Sequence, residues 1–165
     1  MNRRQFGSGL LSVAACSLAT PALAKSYIDH LRVIKSDRLL ELMSGGRVLR
    51  TYNVTLGPKP EGHKRFVGDG RTPEGLYRIN RRNPQSSYYL SLGIDYPNAR
   101  DRAFARAKGR SPGGDIFIHG LPNGVKLNGG TVRDGWTSGC IALTNEEMDE
   151  IWRYVPIGCP IDIRA

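Results

Sequence analysis

The sequence predicts one domain, at residues 25–165, that is mainly β with one or two helices packed on a sheet. Most of this region consists of short runs rich in β-branched and aromatic residues, separated by Gly, Pro and Asp. Only one segment, near the C-terminus, has a clear helical apolar period. A chain of 165 residues is long enough for one hydrophobic core and too short for two comfortable ones.

The first 24 residues are expected to be a signal peptide. Arg3 and Arg4 precede an apolar run at 10–18, and the small residues at 22–24 resemble a cleavage site. Adjacent arginines also suit a twin-arginine signal, so the twin-arginine and general secretory routes both stay open. No later segment has the roughly 18 apolar residues of a spanning helix. We expect an exported protein of the periplasm or cell envelope, with no transmembrane anchor once the signal is removed.

The chain is basic, with a formal net charge of +9 at pH 7. Removal of the two signal-peptide arginines leaves about +7 by the same count. A basic envelope protein meets anionic wall polymers and lipid headgroups first, and the sequence contains no nucleic-acid-binding motif. We therefore expect an acidic partner and no nucleic acid.

Residues 27–56 predict three antiparallel strands joined by tight turns. In the third strand the alternation predicts one buried face, formed by Val48, Tyr52, Val54 and Leu56. Arg50 is the exception on that face. The Gly- and Pro-rich stretch that follows, which contains His63, is expected to be a mobile loop that leads into a strand at 76–79.

The second half predicts two further strands, a basic excursion, a helix and a final strand. "SSYYLSLGI" and "DIFIHG" read as strands, with a short, basic and possibly helical segment between them. Thr144 and Glu147 form a capping box for the helix. Its apolar residues follow the helical period, at Met148, Ile151, Trp152 and Val155. "CPIDIRA" predicts the last strand.

Cys140 follows a glycine and precedes the helix, and it has four interpretations: nucleophile, metal ligand, half of a disulfide, or buried residue. A nucleophilic thiol usually needs a base or cation beside it. Among the three histidines, His119 is the best partner because it ends a buried strand. Gly139 would let the backbone approach a substrate, and the successive amides of Gly139 and Cys140 would point at an oxyanion.

Two alternatives use the other cysteine that remains after signal removal, Cys159. In an oxidising compartment Cys140 and Cys159 are candidates for a disulfide, although Cys159 reads as a packed residue at the start of the last strand. A zinc site from His119, Cys140 and Cys159 lacks the usual close ligand spacings. We expect no metal and no cofactor.

"IHG" and "WTSGCIAL" resemble the mark of the L,D-transpeptidase catalytic domains (YkuD-like): a histidine, a spacer, then Ser/Thr-His-Gly-Cys. Here His119 is followed by seventeen residues and then by Thr137, Ser138, Gly139 and Cys140. "DGRTPEGLY" and the segment from "SLGIDYPNARDRA" to "SPGGDIFIHG" are also similar to the family. Ser138 replaces the family's second histidine, and Ala142 replaces its usual Arg or Asn, which resembles a divergent YafK-like branch and leaves the substrate preference open.

The resemblance implies a β-sandwich domain in which Cys140 attacks a peptidoglycan stem peptide and His119 takes the thiol proton. Attack on the carbonyl of the third, diamino-acid residue would expel the terminal D-alanine. An amine acceptor would make the protein a transpeptidase, and a wall-attached lipoprotein could be a partner. Water would make it an L,D-carboxypeptidase or amidase. A third alternative is a degenerate wall-binding domain without catalysis.

Supporting roles fall on residues around the pair. Asp115 lies about 13 Å along the strand from His119, too far for a hydrogen bond, so the Gly120 carbonyl is the candidate that orients the imidazole. Ser138 would donate a hydrogen bond to the oxyanion or peptide, or fill the space of the missing imidazole. Arg102, Arg106 and Arg110 would bind stem-peptide carboxylates or form a solvated face. An enzyme should show one fast, pH-dependent thiol.

Overall fold

The structure, a computed structural model, describes residues 27–125 and 135–165. The expected signal peptide at residues 1–24 lies outside the described residues and stays a prediction. Among the described residues, no helix is both long and apolar enough to cross a membrane.

The described residues form eight strands and two helices. In chain order these are β1 (His30–Ile34), β2 (Leu39–Ser44), β3 (Arg47–Asn53), β4 (Gly75–Ser86), β5 (Tyr89–Ile94), α1 (Ala99–Ala107), β6 (Phe117–His119), β7 (Ile141–Ala142), α2 (Asn145–Tyr154) and β8 (Pro160–Arg164). The strands form one mixed sheet in the order β3-β2-β1-β8-β4-β5-β6-β7. The prediction of a mainly β domain with one or two helices is confirmed.

The long strand β4 connects the two halves of the sheet. Its first residues, from Gly75 to Arg78, pair with β8, and the rest, from Ile79 onward, pairs with β5. The outer ends meet as well, because Thr55, just after β3, exchanges two backbone hydrogen bonds of 2.9 Å with Ala142 of β7. The sheet therefore folds over itself around one core, which is the sandwich-like arrangement predicted. That core draws on both halves, through Leu31, Leu40, Leu42, Ile79, Leu92, Ile118 and Ile141.

The first three strands form the predicted antiparallel meander, with one correction. Val48 is 42% exposed, whereas the alternation placed it on the buried face with Tyr52. The physical reason is a bulge, since the register between β2 and β3 shifts between Leu42 and Met43. An extra residue in one strand turns the following side chains to the other face.

The loop between β3 and β4 is not the mobile segment that its composition predicts. Asp69 accepts hydrogen bonds from the backbone N–H groups of Arg65, Phe66 and Arg71, and it pairs with buried Lys64 at 2.9 Å. Although burial alone would raise it, these contacts lower the pKa of Asp69 to about 2. A carboxylate with this many donors fixes the path of the loop.

Both helices begin at side-chain caps. Asn98 and Asp101 form a capping box at α1, and the predicted box of Thr144 and Glu147 at α2 is confirmed. Asp101 also accepts from the Tyr77 hydroxyl at 2.9 Å and lies 3.0 Å from His63 Nε2. The basic excursion is thus a helix tied to the sheet by a buried carboxylate.

Candidate active site

The paired strands β6 and β7 bring His119 and Cys140 to the same cavity. These strands are parallel, with Ile118 opposite Ile141 and His119 opposite Ala142, and Cys140 directly precedes β7. The Cys140 Sγ accepts a hydrogen bond from the Phe117 N–H at 3.4 Å, two residues before His119. Phe117 and His119 are two residues apart on β6, which is about 7 Å along the strand. Both side chains line one cavity of about 320 Å³.

The imidazole of His119 is buried and held at one nitrogen. Its Nδ1 lies 2.7 Å from the Gly120 carbonyl oxygen, the group to which the sequence analysis assigned this contact. A carbonyl only accepts, so a neutral imidazole donates from Nδ1 and leaves Nε2 unprotonated. Burial lowers the pKa of His119 and the Gly120 contact opposes this only in part. The histidine is therefore a neutral base at neutral pH.

Two aromatic side chains enclose this imidazole. The ring centroids of Tyr88 and Trp136 lie 4.7 and 5.4 Å from that of His119, and 5.8 Å from each other. Neither aromatic residue was predicted as part of the site from the sequence. The available signal was the position of Trp136, four residues before Cys140 in the matching motif. These contacts contribute to the burial of the imidazole, which is 3% exposed.

Gly139 has a different role from the one the sequence suggested. Its φ is +120°, and a Cβ there would lie 2.3 Å from the Arg71 carbonyl oxygen. The space in front of Gly139 is thus filled by the loop before β4, and Gly139 is not among the residues that line the cavity. Its N–H donates to the Thr137 hydroxyl at 3.3 Å. Of the two predicted oxyanion donors, the Cys140 amide is the remaining candidate.

The Cys140 thiol is protonated at neutral pH. Burial raises its pKa, while the Phe117 N–H and the charge of Lys64 oppose the shift. A desolvated thiol ionises less readily than a free one, so this shift favours a slow thiol at neutral pH, and the reactivity of Cys140 stays a prediction. The thiol donates to the Asp115 carbonyl oxygen at 3.5 Å.

The structure bears on the disulfide and metal-site alternatives for the two cysteines. Cys140 and Cys159 are both free thiols, so the disulfide alternative is not supported. Cys159 is 3% exposed and packs in the core. Within 27–125 and 135–165, no three His, Cys, Asp or Glu side chains group together as a metal site would require.

The predicted arginines lie elsewhere. Arg102, Arg106 and Arg110 line a separate open depression beside α1, and none of them lines the cavity of Cys140. Their contact with stem-peptide carboxylates stays a prediction. Asp101 of α1 faces inward and is buried, and the helix residues Arg102 and Arg106 are exposed to solvent, as is Arg110 in the turn that follows.

Two other polar residues do line the cavity. Ser138 lies on its rim, exposed to solvent, so its hydroxyl is accessible and does not fill a buried space. The Asp115 carboxylate pairs with Arg81 at 2.8 Å rather than with His119.

We expect Gly120→Ala to destabilise the protein by about 1 to 3 kcal/mol, because overpacking forces a shift of neighbouring groups. The new Cβ would lie 2.6 Å from Asn145 Oδ1 and 2.9 Å from Tyr89 Cβ. Denaturant-induced unfolding measures the change. Gly114→Ala is the matched control, since its nearest neighbour would be at 3.8 Å. Equal stability of the two variants would contradict the packing.

The protein is thus a β-rich domain whose sheet folds over one core and whose cavity is lined by a cysteine and a buried histidine. The family model for the YkuD L,D-transpeptidase catalytic domain matches residues 28–163, and the chain belongs to this family. Among curated proteins it is 30% identical over 152 residues to Escherichia coli K12 YafK, which is named provisionally as an L,D-transpeptidase. The match covers 84% of this chain and 54% of YafK.

Solved structures support the same fold. The helical cell shape determining protein Pgp2 of Campylobacter jejuni is 26% identical, with a TM-score of 0.60, over 85% of this chain and 51% of that one. Bdellovibrio bacteriovorus Bd1075 is also 26% identical, with a TM-score of 0.54, over 83% and 48%. An L,D-transpeptidase of Mycobacterium smegmatis, at 17% identity and a TM-score of 0.54, shares the fold over 82% and 58%. The chain spans about half the length of YafK, Pgp2 and Bd1075.

Proposed function

We propose that this protein transfers acyl groups of peptidoglycan stem peptides through a thioester on Cys140. The observation that carries the proposal is the shared cavity: the Cys140 thiol and the His119 imidazole both line it, and His119 Nδ1 is held by Gly120. Membership of the L,D-transpeptidase family supplies the substrate class.

In the first half of the reaction, His119 Nε2 takes the thiol proton as sulfur attacks the carbonyl of the diamino-acid residue. The bond from sulfur to carbon forms, and the Cys140 amide and Ser138 hydroxyl are the candidate donors to the oxyanion. The imidazolium then gives its proton to the departing nitrogen of D-alanine. The product is a thioester on Cys140.

In the second half, an amine of another stem peptide or of a wall-attached lipoprotein attacks the thioester. His119 takes the amine proton, a new amide forms, and the thiol is restored. Water in place of the amine would yield a free carboxylate, the outcome of an L,D-carboxypeptidase. The cavity residues support either acceptor.

The site of action in this proposal is the periplasm, which the protein reaches through the expected signal peptide at residues 1–24. Peptidoglycan lies there, and the net charge of about +7 that remains after signal removal suits an anionic polymer. The name of Pgp2 as a determinant of helical cell shape suggests a comparable part in wall remodelling.

Product analysis tests the proposed function. Purified protein with tetrapeptide muropeptides should release D-alanine, and chromatography should show crosslinked dimers or tripeptides. Dimers identify the transpeptidase and tripeptides the hydrolase. The Cys140→Ala variant should release no D-alanine and form no product, whereas Cys159→Ala should give the same products as the parent at the normal rate, because Cys159 is buried away from the cavity. Release of D-alanine by Cys140→Ala would contradict the proposal.

We expect alkylation of Cys140 by iodoacetamide to be slow at neutral pH and to keep rising beyond the pH at which an ordinary thiol has levelled off. The alkylation rate should increase with pH in this way because the thiolate is the reactive form and the pKa of Cys140 is raised. Stopped-time mass spectrometry across a pH series measures it, with Cys159→Ala to remove the second thiol. A rate already maximal at neutral pH would show a preformed thiolate instead.

A further inference from the structure

The solvent side of α1 and the loop that packs against it form one cationic and partly apolar surface, here called the α1 surface. Its charges come from α1 and the turn that follows it: Arg100, Arg102, Arg106, Lys108 and Arg110. All five are exposed, and none forms an ion pair within the part of the chain that the structure describes. The single acid of this segment, Asp101, is buried against Tyr77 and His63.

Aromatic side chains lie between these cations. The Arg65 guanidinium lies 4.3 Å from the ring centroid of Phe104, and that of Arg110 lies 3.8 Å from Phe66. The two rings are 6.0 Å apart. Cation–π contacts hold each guanidinium over an apolar base, so charge and apolar area occupy the same patch.

Val67 extends the apolar part of the α1 surface into solvent. It is 61% exposed, and Phe104 is 36% exposed. The Val67 N–H donates to the Ser111 carbonyl at 3.0 Å, which fixes this loop beside the end of α1. The surface therefore has apolar side chains that protrude among arginines.

We propose that the α1 surface docks the protein peripherally on a bilayer that contains anionic phospholipids. On such a bilayer, arginines bind lipid phosphates while protruding apolar side chains enter the boundary between headgroups and acyl chains. A purely anionic polymer offers no apolar layer to these side chains. The open depression of about 440 Å³ lined by Arg102, Arg106 and Arg110 is large enough for a phosphate headgroup. This depression and the Cys140 cavity share no lining residue. The proposal does not depend on the chemistry of Cys140.

Vesicle co-sedimentation tests the docking. The protein should bind vesicles of phosphatidylglycerol mixed with phosphatidylcholine, should not bind phosphatidylcholine alone, and should detach as salt is raised. The variant with Arg102→Gln and Arg106→Gln should bind about twenty-five-fold more weakly, at about fivefold for each arginine. The control with Arg47→Gln and Arg153→Gln loses the same charge outside the surface and should bind normally.

The apolar part has its own test. Val67→Ser keeps the charge and should weaken binding to the mixed vesicles about three- to tenfold. Circular dichroism of each variant confirms that it is folded. Equal losses in both arginine pairs would show that only net charge matters and would overturn the proposal. So would an unchanged Val67→Ser variant, or tighter binding to a soluble polyanion such as single-stranded DNA than to vesicles.

Discussion

His119→Gln is expected to lower the rate of acyl transfer by roughly 10²- to 10⁴-fold, the usual contribution of a general base. His119 Nδ1 is held by the Gly120 carbonyl, so Nε2 is the nitrogen available for the thiol proton. Glutamine keeps a polar side chain of similar size and cannot take up a proton at neutral pH. The rate of D-alanine release from tetrapeptide muropeptides measures the effect.

The matched control for this variant is His30→Gln. His30 lies at the start of β1 and does not line the cavity of Cys140, so its replacement should leave the rate within a factor of two or so. Raising the pH should partly rescue His119→Gln, because hydroxide replaces the missing base in forming the thiolate. A His119→Gln variant as active as the parent would remove the histidine from the mechanism.

Asp101→Ala is expected to destabilise the protein by about 3 kcal/mol, the scale of removing one partner from a buried charged network. The change removes the capping box of α1 and leaves the Tyr77 hydroxyl buried without its acceptor. Burial, and then the Asp101 contact, raise the pKa of Tyr77, as expected for a phenol that donates to a carboxylate. Urea-induced unfolding measures the loss.

Asp37→Ala is the matched control, since Asp37 is exposed and its side chain bonds only the neighbouring Ser36 among the described contacts. Its stability should change by less than about 0.5 kcal/mol. If Asp101→Ala unfolded at the same urea concentration as Asp37→Ala, the buried carboxylate would not hold α1 to the sheet.

Local patterns predicted those elements whose own residues carry the signal. The meander of β1, β2 and β3 followed from apolar runs separated by turn residues, and α2 followed from its capping box and apolar period. Strand β7 was missed because it has two residues, Ile141 and Ala142, too few for any periodicity. Its position depends on pairing with β6 and with Thr55, which are distant contacts.

At the site, too, features that depend on contacts between distant parts of the sequence were harder to predict than local ones. The motif placed Cys140 and His119 together because the family resemblance encodes a tertiary arrangement. The close approach of the Arg71 carbonyl to Gly139 was not predicted, because that carbonyl belongs to a loop far away in the sequence. The arginines of α1 precede β6 in the chain, but only the buried Asp101 determines which way that helix faces.

A Cys140 acyl-enzyme can be detected by intact-protein mass spectrometry of the mature chain after brief incubation with a tetrapeptide muropeptide or with a carbapenem. We predict one covalent adduct, mapped by proteolysis to Cys140, present in Cys159→Ala and absent from Cys140→Ala. With the muropeptide, the added mass should correspond to the peptide without its terminal D-alanine. A protein that hydrolyses or crosslinks the substrate with Cys140 replaced, or an adduct on any other residue, would contradict the account.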